Sequence, residues 1–268
     1  MTMSKSMPAT GRETLVIKLG GSILYRLSPQ FFMSLADLMK EYNAVIVHGG
    51  GPEITYMLNR LNIETTFING QRKTTAKVLE VAEMMLKGKV NGHLTGTLNG
   101  HGLNAVGLCG YDADLLTASL IDRESLGLVG DIEEVNTALL TVLISEGYLP
   151  VIAPLALTKD GTKVNVNADL AAAAIAKAAG AEKLLYVTDV PGILHEGKLI
   201  PDTTAEEIKH LIADGVISGG MIPKVKSALS ALSPHLKEVM ITGGQQAIFK
   251  DGSILGTKIK GKGGVAAS

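Results

Sequence analysis

Leu15-Val16-Ile17-Lys18-Leu19-Gly20-Gly21-Ser22 is an apolar, β-branched run that carries one lysine and breaks at once into two glycines. It reads as a strand ending in a loop whose backbone can approach an anion closely. Ala44-Val45-Ile46-Val47-His48-Gly49-Gly50-Gly51-Pro52 repeats the device, with Pro52 placed to open the following helix. Two strand-glycine-helix junctions supply two sets of backbone N–H groups. At a helix N-terminus, with the macrodipole behind them, such groups make a phosphate site, and Lys18 adds a mobile charge beside it. Neither stretch has Walker A or dinucleotide spacing, and one glycine pair alone is most often a tight turn. It is the two junctions together, with the polar residues described below, that point to phosphate.

Outward from these loops the chain alternates. Pro29–Lys40 shows Phe31, Phe32, Leu35, Leu38 and Met39 at helical spacing, with Ser28 as cap. Pro52–Leu61 is the next helix. Thr74–Leu98 puts Val78, Val81, Ala82, Met85, Leu86 and Val90 on one helical face long enough to line an interface, with Met84 and Met85 read as packing. Asn104–Leu108 reads as a strand, Leu126–Val135 as a hairpin turning near Gly130-Asp131, Thr137–Glu146 as a helix and Leu149–Ile152 as a buried strand. Helix Ala168–Ala179, strand Lys183–Thr188, helices Thr204–Ala213 and Pro223–Leu232, strand Glu238–Thr242 and a final Gly256–Ile259 segment complete the series. This order predicts an α/β fold with a mostly parallel sheet covered on both faces. A soft boundary falls near residues 175–180, where a second group of polar loops begins.

With 268 residues, 46% of them hydrophobic, the chain has ample core for one large domain or two lobes, which excludes disorder as the main state. A net charge of −1 with both signs interspersed advertises no face for nucleic acid or an anionic membrane, so the partner is a small molecule. The lone Cys109, set in Val106-Gly107-Leu108-Cys109, makes no internal disulfide and reads as a buried structural thiol, consistent with a cytoplasmic location. Met1–Glu13 lacks the apolar core of a signal peptide and reads as a loose tail. Polar residues and prolines interrupt the apolar stretches before they could span a bilayer.

Asn165-Val166-Asn167-Ala168-Asp169 places three short polar side chains at alternating positions before an alanine-rich helix, all facing one space. A carboxylate beside phosphate binds Mg²⁺ or holds lysines; the plainer alternative is that Asn167 caps the helix and Asp169 complements its dipole. Gly219-Gly220-Met221-Ile222-Pro223-Lys224 leads a flexible loop into a helix with Lys224 in its first turn, where an anionic ligand would relieve the clash with the dipole. Thr188-Asp189-Val190-Pro191-Gly192-Ile193 is a strand end entering a Pro-Gly turn. Arg72 precedes the long helix with a fork suited to a carboxylate. His48 is either a base or a hydrogen-bonded structural residue, and the remaining histidines, His93, His101, His195, His210 and His235, have no metal spacing.

In this order, Val16–Ser22, Val47–Gly51, Asn69–Arg72, Asn165–Asp169, Thr188–Ile193 and Gly220–Lys224 resemble the amino-acid kinase family, and most closely its acetylglutamate-phosphorylating members. Relatives usually carry apolar residues where this chain has Gln71 and Lys73. The resemblance implies a three-layer αβα sandwich with a tail at 1–13. A lobe at 14–177 would bind N-acetyl-L-glutamate and form a homodimer, and a lobe at 178–268 would bind ATP with Mg²⁺ carried mainly on the phosphates. The reaction implied is ATP-dependent phosphorylation of the side-chain carboxylate, giving N-acetyl-L-glutamyl 5-phosphate in arginine biosynthesis. Carried over by position, Lys18 and Lys224 flank the phosphoryl group, Asp169 orients both, and Gly20 and Gly21 donate N–H groups to it. Gly50, Gly51, Arg72, Asn165 and Asn167 hold the acyl acceptor; Thr188, Asp189, Val190, Pro191, Gly192, Ile193, Val216, Ile217 and Ser218 line the nucleotide.

Two rivals share this pattern. A kinase for an acetylated or carrier-linked aminoadipate would keep the ATP half and alter the surroundings of Arg72. A non-catalytic nucleotide-binding regulator would be expected to lose Lys18, Lys224 or Asp169, and all three are present. Arginine-inhibited relatives carry an N-terminal helix that interlaces dimers into a hexamer. Met1–Glu13, with Pro8 and Gly11 and no amphipathic stripe, predicts a homodimer with little arginine inhibition.

Overall fold

The computed structural model describes residues 11–234 and 236–261, so most of the tail expected at Met1–Glu13, and His235, lie outside the described residues. Strand β1 (Glu13–Leu19) passes through the first glycine loop to α1 (Pro29–Glu41), whose cap Ser28 accepts from the Phe31 N–H, and then to β2 (Tyr42–His48). Helix α2 (Gly51–Arg60) has Pro52 in its first turn and is followed by the hairpin β3 (Phe67–Ile68) and β4 (Gln71–Arg72). Helix α3 (Ala76–Glu83) continues through a π-helical stretch, Met84–Val90, into α4 (Asn91–Gly100). Strands β5 (Ala105–Cys109), β6 (Leu116–Leu120) and β7 (Val129–Val135) precede α5 (Thr137–Ser145). Strands β8 (Leu149–Ala153), β9 (Leu155–Thr158) and β10 (Lys163–Val166) precede α6 (Ala168–Ala178). The remainder is β11 (Lys183–Thr188), β12 (Leu194–His195), β13 (Lys198–Leu199), β14 (Asp202–Thr204), α7 (Ala205–Ala213) and α8 (Met221–Ala231). Strands β15 (Glu238–Gly243), β16 (Phe249–Lys250), β17 (Ser253–Ile254) and β18 (Thr257–Lys260) close the described chain.

Eight strands form one sheet in the order β14-β18-β15-β11-β1-β2-β8-β5. The run from β15 to β5 is parallel, and β18 and β14 point the other way. Alternate residues of the central strands serve opposite faces, as the strand repeat requires. Val16, Val45, Leu184 and Val239 pack with Ala172 and Ile175 of α6 and Val225 of α8, while Leu15, Ile17, Ile46 and Leu185 pack with Phe31 and Leu35 of α1 and Leu94 of α4. The result is a three-layer αβα sandwich. Strand β1 lies between β2 and β11, so the direction of winding reverses at its carboxyl end, the place where open α/β sheets bind ligands.

Four further strands, β10, β7, β6 and β9, close on themselves beside the sandwich. They hold the main departure from the sequence reading. Leu126–Val135 is no hairpin: β7 runs straight through Gly130-Asp131 and pairs antiparallel with β6. Gly130 is there for space, because a Cβ would meet Val164 Cγ2 at 2.6 Å and Ala118 Cβ at 3.1 Å across the barrel. The helix predicted over Thr74–Leu98 is continuous but widens at Met84–Val90; Met85 packs inside, whereas Met84 is 48% exposed. Cys109 is free and fully buried, and burial pushes its thiol up, as a structural role requires. No helix among the described residues is long and apolar enough to cross a membrane.

Candidate active site

The two glycine loops, 29 residues apart in sequence when counted from Gly21 to Gly50, lie against each other at the carboxyl ends of β1 and β2. A Cβ on Gly21 would stand 2.9 Å from the Gly50 nitrogen and 3.0 Å from Pro52 Cδ, so only glycine allows the approach. The Gly20 N–H is taken by the Val187 carbonyl at 3.0 Å, which ties the loop to the sheet and withdraws that donor from a phosphate. Gly21 is left facing the clefts on both sides of the loop.

One cleft, of about 220 Å³, gathers Lys18, Gly50, Gly51, Arg72, Asn165, Asn167 and Asp169 from four separate segments of the chain. Arg72 is 6% exposed; its Nη2 donates to the Gly51 carbonyl (3.1 Å) and Thr55 Oγ1 (2.7 Å), and its guanidinium lies 4.6 Å from the Phe67 ring centre. Arg72 Nη1 is buried with no partner, a cationic donor waiting for an acceptor. Asn165 Nδ2 donates to Thr74 Oγ1 at 3.2 Å, and Thr74 in turn donates to the Arg72 carbonyl at 2.7 Å, so the asparagine braces the arginine strand. Asn167 caps α6, its Oδ1 accepting from the Asp169 N–H at 2.8 Å and the Leu170 N–H at 3.3 Å. The capping role and the cleft-lining role belong to the same residue.

A second cleft, of about 310 Å³, is lined by Lys18, Gly20, Gly21, Asp169, Tyr186, Thr188, Lys224 and Ser227 among others. The clefts share Lys18, Gly21 and Asp169. Lys18 Nζ sits 2.7 Å from Asp169 Oδ1, linking β1 to the first turn of α6, and Ser227 Oγ of α8 donates to the other carboxylate oxygen at 3.3 Å. Lys224 does not share this carboxylate. It pairs with Asp189, which also accepts from the Thr188 hydroxyl at 2.8 Å, and Lys224 foremost, then Thr188, hold the Asp189 carboxyl down to about 2. The expectation that Asp169 orients both lysines therefore becomes one carboxylate for each lysine.

Of the other residues expected around the nucleotide, Val190, Pro191, Gly192, Ile193, Val216, Ile217 and Ser218 do not line this cleft. Ile193 and Ile217 are 1% and 2% exposed and pack in the core, and the Ile193 N–H donates to Thr257 Oγ1 at 2.8 Å. His48 is fully buried: its Nδ1 lies 2.8 Å from the Gly49 carbonyl and its Nε2 3.1 Å from Asn91 Nδ2. Burial lowers it to about 4, so it is a neutral structural residue that steadies the second glycine loop. Tyr186, Ser227, Thr55 and Phe67 were not singled out from sequence. Tyr186 had a signal, since it lies two residues before Thr188 on the same face of β11.

The sequence model of the amino acid kinase family matches residues 13–243. A protein named acetylglutamate kinase from Geobacillus sp. (strain WCH70) is 51% identical over 254 residues, covering 94% of this chain and 99% of the relative. A protein of the same name from Bacillus subtilis (strain 168) is 51% identical over 249 residues, covering 92% and 96%. Among solved structures, smu.665 from Streptococcus mutans UA159 superposes with a TM-score of 0.77 at 28% identity, covering 92% of this chain and 98% of that one. Carbamate kinase from Giardia lamblia bound to AMP-PNP shares the fold, with a TM-score of 0.66 at 18% identity over 97% of this chain and all of that one. This chain belongs to the amino acid kinase family.

Proposed function

We propose that the chain transfers the γ-phosphoryl group of ATP to the side-chain carboxylate of N-acetyl-L-glutamate, forming N-acetyl-L-glutamyl 5-phosphate for arginine biosynthesis. The observation that carries this reading is the wall common to both clefts: Lys18, Gly21 and Asp169 stand between a space bearing an unsatisfied arginine donor and a space bearing a second lysine. An amino-acid acceptor on one side would meet a nucleotide on the other, in line at that wall. The relatives' name supplies the acceptor.

A carboxylate is already ionised at neutral pH, so the reaction needs alignment and charge neutralisation, not a base. Arg72 binds the α-carboxylate of the acceptor; Asn165 and Asn167 meet its polar backbone groups, beside Gly50 and Gly51. Lys18, fixed by Asp169, and Lys224, fixed by Asp189, bracket the phosphoryl group, and the Gly21 N–H donates to its oxygens. Among the described residues no three metal-ligating side chains cluster, and the carboxylates of Asp169 and Asp189 are each engaged by a lysine. These residues fit a Mg²⁺ held by the phosphates of ATP, where it would offset their charge.

In this reading residues 14–177 form the acceptor lobe and 178–268 the nucleotide lobe of a cytoplasmic homodimer, joined through α3, the π-helical stretch and α4. Incubation with MgATP, N-acetylglutamate and hydroxylamine should give a hydroxamate, and N-acetylaminoadipate should give far less. Equal yields, or none from acetylglutamate, would overturn the assignment. Light scattering should give twice the chain mass.

A further inference from the structure

Tyr186 is an unexplained residue in the floor of the nucleotide cleft. It pairs in register with Lys18 on one side and with Ile241 on the other, so its side chain stands beside that of Lys18 on the same face of the sheet. Helix α6 packs on β1 and α8 on β15, and β11 lies between those strands. Tyr186 therefore sits under the seam between the helix that carries Asp169 and the helix that carries Lys224 and Ser227. Its ring centre lies 6.0 Å from Lys18 Nζ.

The phenol is 6% exposed and its hydroxyl is buried with no hydrogen-bond partner. A buried hydroxyl left unpaired costs stability, and a phenylalanine of the same shape would avoid that cost. Burial foremost, and then the negative charge of Asp169, push the phenol upward, so it stays a neutral O–H that can donate. The chemistry that completes it is an anionic oxygen arriving at the seam, where Lys18 and Lys224 converge on the second cleft.

We infer that the Tyr186 hydroxyl is a further substrate-binding group, donating a hydrogen bond to a non-bridging oxygen of the phosphoryl group being transferred from the nucleoside triphosphate. The inference rests on the phosphoryl-transfer reading and adds one donor to the two lysines and the Gly21 N–H.

The test is Tyr186→Phe in the full chain, read in three ways. The ligand-free variant should melt at or above the temperature of the wild type, because an unpaired hydroxyl has been removed. Calorimetric titration should show AMP-PNP bound about 10-fold more weakly, in line with one lost hydrogen bond to a charged group, while ADP, which lacks the transferred phosphoryl, stays within about twofold. The kcat should fall by about 10-fold or more, with KM for acetylglutamate little changed. Unchanged AMP-PNP affinity and kcat would overturn the proposal and leave the hydroxyl a structural oddity; equal weakening of ADP and AMP-PNP would overturn its assignment to the transferred group. Wild-type protein that bound neither nucleotide would overturn the kinase reading itself, a result distinct from both.

Discussion

Lys224 rests on the carboxylate of Asp189, in a pair that bridges the first turn of α8 and the end of β11. The contact gives the second lysine of the site its own anchor, tied down in turn by Thr188. Asp189→Asn should lower kcat by about 10-fold, and the loss should vanish in a Lys224→Ala background, since the two changes remove one interaction. Multiplicative losses, or a rise in KM for ATP alone, would mean that Asp189 serves the nucleotide directly.

Lys18→Ala and Lys224→Ala should each cut kcat by about 100-fold or more with smaller effects on either KM, as for loss of a preorganised charge that matters most during transfer. Steady-state kinetics decide it, and near-normal kcat in either variant removes that lysine from the chemistry.

Arg72→Lys replaces a fork held by Gly51 and Thr55 with a single ammonium. KM for acetylglutamate should rise about 10-fold or more while KM for ATP holds. Matching shifts in both would contradict the placement of the arginine on the acceptor side.

Gly21→Ala drives a methyl group into the Gly50 backbone at 2.9 Å. Since neither loop can yield without leaving its strand end, the variant should lose about 1–3 kcal/mol of stability, and kcat/KM for both substrates should drop. Gly51→Ala meets nothing within 4 Å and should unfold at the wild-type denaturant midpoint. Equal stability of the two variants would sink the argument.

His48 stays neutral in the folded protein down to about 4, against an ordinary value of 6.5. Both states are neutral above 6.5; as pH falls from there toward 4, only the unfolded chain takes up the proton, so stability is lost across that window. The loss is on the order of 3 kcal/mol. Urea unfolding of the wild type and of His48→Gln at several pH values measures it. The variant should show a flatter acid limb, and parallel curves would assign the acid sensitivity to other groups.

The alternation of elements was legible because its causes are local. Ser28 before Pro29 caps α1 as its position in sequence suggests, and Lys183–Thr188 forms a strand with the boundaries its apolar run implies. The small barrel was not legible. Gly130-Asp131 carries the letters of a turn, yet Gly130 is needed where β7 meets Val164 and Ala118, partners that the surrounding residues do not announce. The same holds for the nucleotide loop: Thr188–Ile193 looks like a pocket edge, but Ile193 is drawn into the core by Thr257, 64 residues on.

By itself the sequence determined that strands ending in glycine would alternate with helices on both faces of a parallel sheet, because side-chain periodicity and glycine's freedom act within a few residues. It also placed Lys18, Arg72, Asn165, Asn167, Asp169 and Lys224 near strand or helix ends, where such folds bind ligands. Only the tertiary structure decided that β1 would lie between β2 and β11, that the two glycine loops would touch, that Lys224 would take Asp189 and Lys18 take Asp169, and that the hydroxyl of Tyr186 would be left unpaired between them. Those outcomes depend on strand order and on how α6 and α8 settle over the sheet, and both are fixed by packing among segments far apart in the chain.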